Sequence, residues 1–165
     1  KNIWLAGGSI EFLRMRVRHT RVLPRQVVLP TQFLTGCALF IPTKVVQEVG
    51  FLDEDFFLYY EDADYSTRAR NKGIPLRVVR ESRVVHSEES RYNEQKIYHL
   101  VFSGLIFFAK HSNSFFSFYQ AIYVILRRLK NLIDCYRKKP GSKRVAQAYH
   151  DFYTAKKTRN FTRLC

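Results

Sequence analysis

The stretch from Asp53 to Asp64 concentrates acid inside a basic protein. Six of the fourteen Asp and Glu residues fall in those twelve positions, in a 165-residue chain whose formal net charge is +14. Carboxylates crowded together repel, and unless cations or hydrogen bonds hold them, some acquire raised pKa values. Charge runs in general are solvated turns. This one is interleaved with Phe56, Phe57, Leu58, Tyr59 and Tyr60, five large groups in succession that a solvated turn would leave uncovered. The stretch therefore reads as an anchored site, built to take a proton or to face a metal.

Local grammar places the second half of the cluster on a helix. Glu61, Asp62 and Asp64 lead a segment that ends with Arg68, Arg70 and Lys72 before Gly73. Acid first and base last is the order the helix macrodipole favours, and the glycine is a natural stop. At helical spacing Glu61 shares a face with Tyr65, Arg68 and Ala69, and Asp62 shares another with Ser66. The two neighbouring acids are thus expected to point apart, one held by structure while the other faces a substrate.

Several spaced motifs then agree in order: Ile3-Trp4-Leu5-Ala6-Gly7-Gly8, Thr35-Gly36-Cys37-Ala38, Val49-Gly50-Phe51-Leu52-Asp53-Glu54, Phe56 through Asp64, Arg68-Ala69-Arg70 with Gly73, and Val84-Val85-His86. Together they resemble the second half of a family 2 glycosyltransferase catalytic domain, in the branch that includes bacterial rhamnosyltransferase-like enzymes. The resemblance runs from about residue 1 to residue 90. It implies an α/β protein carrying the acceptor-side half of a GT-A (nucleotide-diphospho-sugar transferase) fold, followed by amphipathic helices. It further implies an inverting single displacement, in which Asp62, with Glu61 second, deprotonates the acceptor hydroxyl. Trp4, Gly7, Gly8, Thr35, Gly36, Tyr60 and Arg68 would line the substrate. His86 would complete the site of a divalent metal, Mg or Mn, on the leaving-group side. A lone histidine at a strand end is otherwise more often structural or solvent-facing.

In that family an N-terminal half supplies the opening β/α units and an Asp-x-Asp motif for metal and diphosphate. Neither stands upstream of Thr35, and Asp62-Ala63-Asp64, which fits the pattern on paper, sits in the acceptor-side motif. The chain begins at Lys1 without a Met, and no signal-peptide pattern follows. The expectation is a fragment whose donor half and metal ligands lie elsewhere, and which does not transfer sugar by itself.

Around these motifs the period of apolar residues suggests the scaffold. Val27–Leu29 reads as a short strand before Pro30 and Phe33–Ile41 as a buried strand interrupted by Gly36, where a close approach or a bulge is expected. Thr43 is placed to cap a helix through Val49 that Gly50 ends. Pro75–Arg80 and Arg83–His86 read as two β-rich runs. Cys37, Cys135 and Cys165 are widely spaced, which implies neither a zinc site nor a disulfide framework and fits a reducing compartment; Cys37 reads as a small buried residue.

Past Ser90 the character changes. Residues 91–165 hold fifteen Lys or Arg against three acids, so they carry +12 of the +14. Apolar periodicity gives an amphipathic helix over about 92–110 and a second, capped by Asn113 or Ser114, with a stripe of Phe115, Phe118, Tyr119, Ile122, Leu126, Leu129 and Ile133. The apolar run of that second helix is short of the roughly 20 residues needed to span a bilayer. It can lie on an anionic membrane surface or pack on the catalytic domain. Three segments are expected: 1–90, the transferase half; 91–139, amphipathic and membrane-associated or packed; 140–165, a basic tail.

The function these readings imply is transfer of a sugar from a nucleotide-sugar donor to a glycan or lipid-linked acceptor, in surface polysaccharide or glycolipid assembly, in the cytoplasm or peripherally on the cytoplasmic face of the plasma membrane. The alternatives are a non-catalytic, membrane-associated acceptor-binding module and a basic nucleic-acid binder; no nucleic-acid-binding motif accompanies the charge, and nucleic acid is not expected as a partner.

Overall fold

The computed structural model describes residues 3–22, 25–86 and 93–158. The fold is mixed α/β, with five helices and two small antiparallel sheets among the described residues, and it divides into two compact units: Lys1–Asp53 with Glu61–Glu89, and Glu54–Tyr60 with Ser90–Cys165.

In the first unit, β1 (Gly8–Glu11) pairs with β2 (Arg16–His19), Gly8 opposite His19 and Glu11 opposite Arg16. A 3-10 turn at Phe12–Arg14 joins them and closes on Met15, whose φ of 45° is left-handed. Glu11 holds the hairpin by accepting from Arg16 Nε at 2.7 Å, with Arg18 and Arg14 farther off, and these cations keep its carboxyl below the ordinary value. The second sheet pairs β3 (Val28–Thr31) with β4 (Leu76–Val79). Pro30 lies inside β3 rather than after it, which a two-stranded sheet tolerates because each strand has an open edge.

The two sheets meet at Gly7 and Gly8. The Gly8 N–H donates to Thr31 Oγ1 at 2.9 Å, that hydroxyl lies 3.0 Å from the Gly8 carbonyl, and Gly8 bridges to Phe33. A Cβ on Gly8 would run into the Arg18 carbonyl, and one on Gly7 (φ 81°) would come within 2.6 Å of Thr31 Oγ1. Glycine is required at both positions by close backbone approach.

Helix α1 (Thr43–Val49) ends at Gly50, φ 90°, as its sequence implies, but Pro42 takes the N-cap position and Thr43 is already helical. Helix α2 (Glu61–Asn71) buries Ala63, Asp64, Tyr65, Ser66, Thr67 and Ala69, and Gly73 follows in a left-handed conformation (φ 77°).

Two expected strands are absent. Phe33–Ile41 is not a strand: after the bridge at Phe33 the chain makes a 3-10 turn at Gly36–Ala38 that leaves Cys37 exposed rather than buried. Its amide Gly36 N–H is taken by a side chain of α2, so no ladder forms there. Arg83–His86 is likewise not assigned as a strand, and it is exposed. The β3 partner of the preceding strand runs out near Val27, which accepts from Arg80 N–H at 2.9 Å.

The second unit is helical. Asn113 caps α4 (Ser114–Tyr136) and Asn93 caps α3 (Glu94–His111), each side chain accepting a backbone N–H of the first turn. The residues read as a basic tail form α5 (Ser142–Thr158), which packs on α3 and α4. Phe102, Leu105, Ile106, Phe107 and Phe108 of α3 and Ala148, Phe152 and Ala155 of α5 make the core, and Tyr98 OH donates to Asp151 at 3.0 Å across it. The loop before α2 enters this unit: Ser103 Oγ donates to the Leu58 carbonyl, and the Tyr60 ring packs on Phe107 and Phe108 over the space left by Gly104. Among the described residues no helix is long and apolar enough to cross a membrane.

Candidate active site

The first turn of α2 is fixed against the Thr35–Gly36 turn by one carboxylate. Asp62 Oδ2 accepts the Gly36 N–H at 2.9 Å and Oδ1 accepts the Ala63 N–H at 2.8 Å. One turn on, Ser66 Oγ accepts the Leu34 N–H at 3.2 Å, so the same helical face that carries Asp62 is sewn to the 34–36 backbone. Two backbone N–H groups, one on each carboxylate oxygen, fix the Asp62 side chain in one orientation. Gly36 itself is exposed, so this carboxylate stands at an accessible edge.

Glu61 does not point away from Asp62 as helical spacing suggests. A methyl group built on Gly36 would lie 3.8 Å from Glu61 Oε1 and 3.9 Å from Asp62 Oδ2, so both acids reach the same glycine. The long Glu side chain covers the angular gap that its Cα position imposes. Burial pushes the Glu61 carboxyl above its ordinary value, and the negative charge of Asp62 acts in the same direction. Glu61 Oε2 is buried without a hydrogen-bond partner, as is Tyr65 OH one turn along the same face. Two unpaired buried polar atoms cost about 1–3 kcal/mol each.

Close to this pair lies an aromatic row. Trp4 stacks on His86 (5.1 Å between ring centres, planes 13° apart) and less closely on His19 (6.1 Å), whose other neighbour is Phe33, edge-on at 5.6 Å. Loss of solvent holds the His19 imidazole below its ordinary value while the Asp62 charge pulls it up, so the two groups are electrostatically coupled. Nothing in the sequence singles it out, because it is one residue of the Arg-rich run Arg16–Arg21. An open depression of about 270 Å³ lined by Arg16, Val17, Arg18, His19 and Arg21 adjoins it.

The remaining residues singled out by sequence are distributed as follows. Thr35 is buried, its hydroxyl toward Cys37 Sγ at 3.6 Å. Gly7 and Gly8 lie at the sheet crossing. Tyr60, left-handed with Tyr59 at φ 67°, packs its ring inside the second unit. Arg68 engages Asp64 at 2.7 Å, the Val49 carbonyl at 2.9 Å and the Phe51 carbonyl at 2.7 Å, tying the end of α1 to the middle of α2. Among the described residues no three His, Cys, Asp or Glu side chains cluster closely enough to hold a metal ion.

The unit so defined is a small α/β body presenting a fixed carboxylate and a second carboxyl with a raised pKa at one exposed glycine turn, with a histidine electrostatically coupled to the first. Over 59 residues the chain is 30% identical to the low-salt glycan biosynthesis hexosyltransferase Agl10 of Haloferax volcanii, an alignment that covers 36% of this chain and 19% of that protein. The chain thus spans about a fifth of the length of the curated relative it matches. No protein-family profile and no solved structure matches it.

Proposed function

We propose that this chain is the acceptor-side part of a glycosyltransferase, similar to family 2 enzymes with a GT-A fold, which moves a sugar from a nucleotide-sugar donor to a glycan or lipid-linked acceptor hydroxyl. Similarity to a hexosyltransferase supports the reading at its coarse level. The observation that carries the chemistry is the setting of Asp62: oriented by two backbone N–H groups and standing at the exposed Gly36 turn.

In the proposed step Asp62 takes the proton of the acceptor hydroxyl as its oxygen bonds to the anomeric carbon, and the bond from that carbon to the donor diphosphate breaks with inversion. The electron pair leaves with the diphosphate. Glu61, whose Oε1 reaches the same glycine, is placed to hydrogen-bond a neighbouring acceptor hydroxyl. A divalent cation touching His86 would draw its other ligands from outside the described residues, and no step is assigned to it.

The test is transfer by the native polypeptide that contains residues 1–165, read as release of nucleoside diphosphate from a panel of nucleotide sugars. Asp62→Asn keeps shape but cannot accept the proton, so turnover should fall by about 10² or more with donor affinity little changed. Near-native turnover in Asp62→Asn rejects it as the base. Near-native turnover in both Asp62→Asn and Glu61→Gln makes the acidic pair structural, and absence of transfer from every nucleotide sugar favours the binding module.

A further inference from the structure

Helix α4 is mounted with its polar side inward. The residues it buries are Gln120, Val124 and Asn131. Asn131 Nδ2 donates to the Ser142 carbonyl at 3.1 Å, at the start of α5, and Gln120 Nε2 donates to Ser112 Oγ. On the flanks, Arg127 lies over the Tyr123 ring, Arg128 over the Tyr153 ring of α5, and Lys130 and Lys139 each pair with Asp134 at 2.6 Å. These bonds fix the rotation of the helix about its axis, because rolling it inward would leave a buried amide unpaired.

The opposite side carries the large apolar groups. At 100° per residue Phe115, Phe118, Ile122, Ile125, Leu126, Leu129, Leu132, Ile133 and Tyr136 fall in one arc of roughly 120°. All nine are exposed, from 46% at Ile122 to 72% at Phe115 and Phe118 and 90% at Tyr136. No polar residue between Phe115 and Tyr136 other than Tyr136 itself interrupts the arc. Contiguous exposed apolar surface of this extent marks an interaction site.

We propose that this face of α4 docks the protein on an anionic lipid surface, the helix lying in the interface with its apolar arc in the acyl boundary. Charge is the first argument. From Ser114 to Lys139 the sequence holds six Lys or Arg and one acid, Asp134, all beyond Leu126, so an uncharged apolar half is followed by a cationic half that complements lipid phosphates. Arg137 and Lys138 are exposed at its end. The second argument is the pattern. A protein groove reads a helix through three or four anchors set among polar register contacts, whereas here the apolar arc runs the whole helix, about 35 Å at 1.5 Å per residue, with no polar group to define a register. A bilayer surface requires no register. Such a helix lies on a membrane and does not span it, as the residues described require. The inference does not depend on the transfer chemistry.

Co-sedimentation of the protein with phosphatidylcholine vesicles and with vesicles containing phosphatidylglycerol tests it. Binding should require the anionic lipid and weaken as salt is raised. Changing Phe115, Phe118 and Ile122 to Ser should lower the partition coefficient about a hundredfold, and Arg137→Glu with Lys138→Glu should lower it about fivefold or more per charge, with unchanged circular dichroism. The variant Phe118→Trp supplies a reading that does not depend on the fold of the triple variant: brominated acyl chains should quench the added emission. No binding to either vesicle, absence of that quenching, or a dimer in solution that the Ser substitutions dissociate without any effect on vesicle binding overturns the proposal.

Discussion

Replacing Arg68 by Met separates a substrate contact from a structural tie. The Arg68 guanidinium donates to the Asp64 carboxylate and to the carbonyls of Val49 and Phe51, and it lies 5.0 Å from the centre of the Tyr65 ring. Asp64 is wholly buried, 0% exposed, and the Arg68 side chain is 22% exposed. Methionine keeps most of the aliphatic stem but removes every donor, so the buried carboxylate loses its cation and two carbonyls lose their partners. Breaking a buried pair costs about 3–5 kcal/mol, and since water reaches part of Arg68 the lower end applies, about 3 kcal/mol. With a urea slope of about 2 kcal/mol per M the unfolding midpoint should drop by about 1.5 M. Trp4, the single tryptophan of the chain and a member of the same unit, reports it by fluorescence. The double variant Asp64→Asn with Arg68→Met should be less destabilised than the sum of the two single changes, because the two side chains interact directly. A midpoint shift below about 0.3 M would refute the structural role, since that corresponds to about the worth of an exposed pair.

Three further outcomes follow from the site. Glu61→Gln should raise thermal stability at neutral pH and not at low pH: the folded-state pKa of Glu61 is raised, so its contribution is fully present below the ordinary value of 4.5 and is lost as pH rises through the folded pKa. Calorimetric melts of both proteins across that range check it, and a gap that stays constant with pH contradicts the raised pKa. Gly36→Ala should fold normally, because its Cβ meets only ordinary contacts at 3.8–3.9 Å, yet it should weaken acceptor binding by crowding the exposed edge of Asp62; unaltered acceptor KM would remove Gly36 from the site. Gly8→Ala should fail at the level of folding, with a lowered or absent melting transition, because the Arg18 carbonyl occupies the place of the new methyl group.

Legibility of the fold follows how local the determining forces are. The ends of α2 were readable because acid, base and a terminal glycine act within one helix, and α3 and α4 because Asn caps and 3.6-residue periods are local signals. Helix α5 carries the same signal in Ala148, Tyr149, Phe152 and Ala155, all buried, but the Lys and Arg around them give the segment the composition of a tail. Phe33–Ile41 reads as a strand because its residues suit one. What decides its conformation is a carboxylate 26 positions away that takes the Gly36 N–H, and a long-range hydrogen bond leaves no trace in a local window.

The site divides along the same line. Asp62 and Glu61 are conspicuous by crowding and by their place at a helix start, yet their relation to each other depends on side-chain reach. A face argument built on Cα angles separates them by about 100°, and the extra methylene of Glu61 brings its carboxyl back to the glycine that Asp62 holds. His19 is the harder case. It sits on a short Arg-rich strand, where a histidine has no pattern to break, and it reaches the acids only because Gly8, opposite it in the ladder, allows the β1–β2 hairpin to lie against Phe33. The glycines near the N-terminus therefore act on the site through the backbone: a side chain at Gly8 would displace the strand that carries His19, and with it the imidazole that is electrostatically coupled to Asp62.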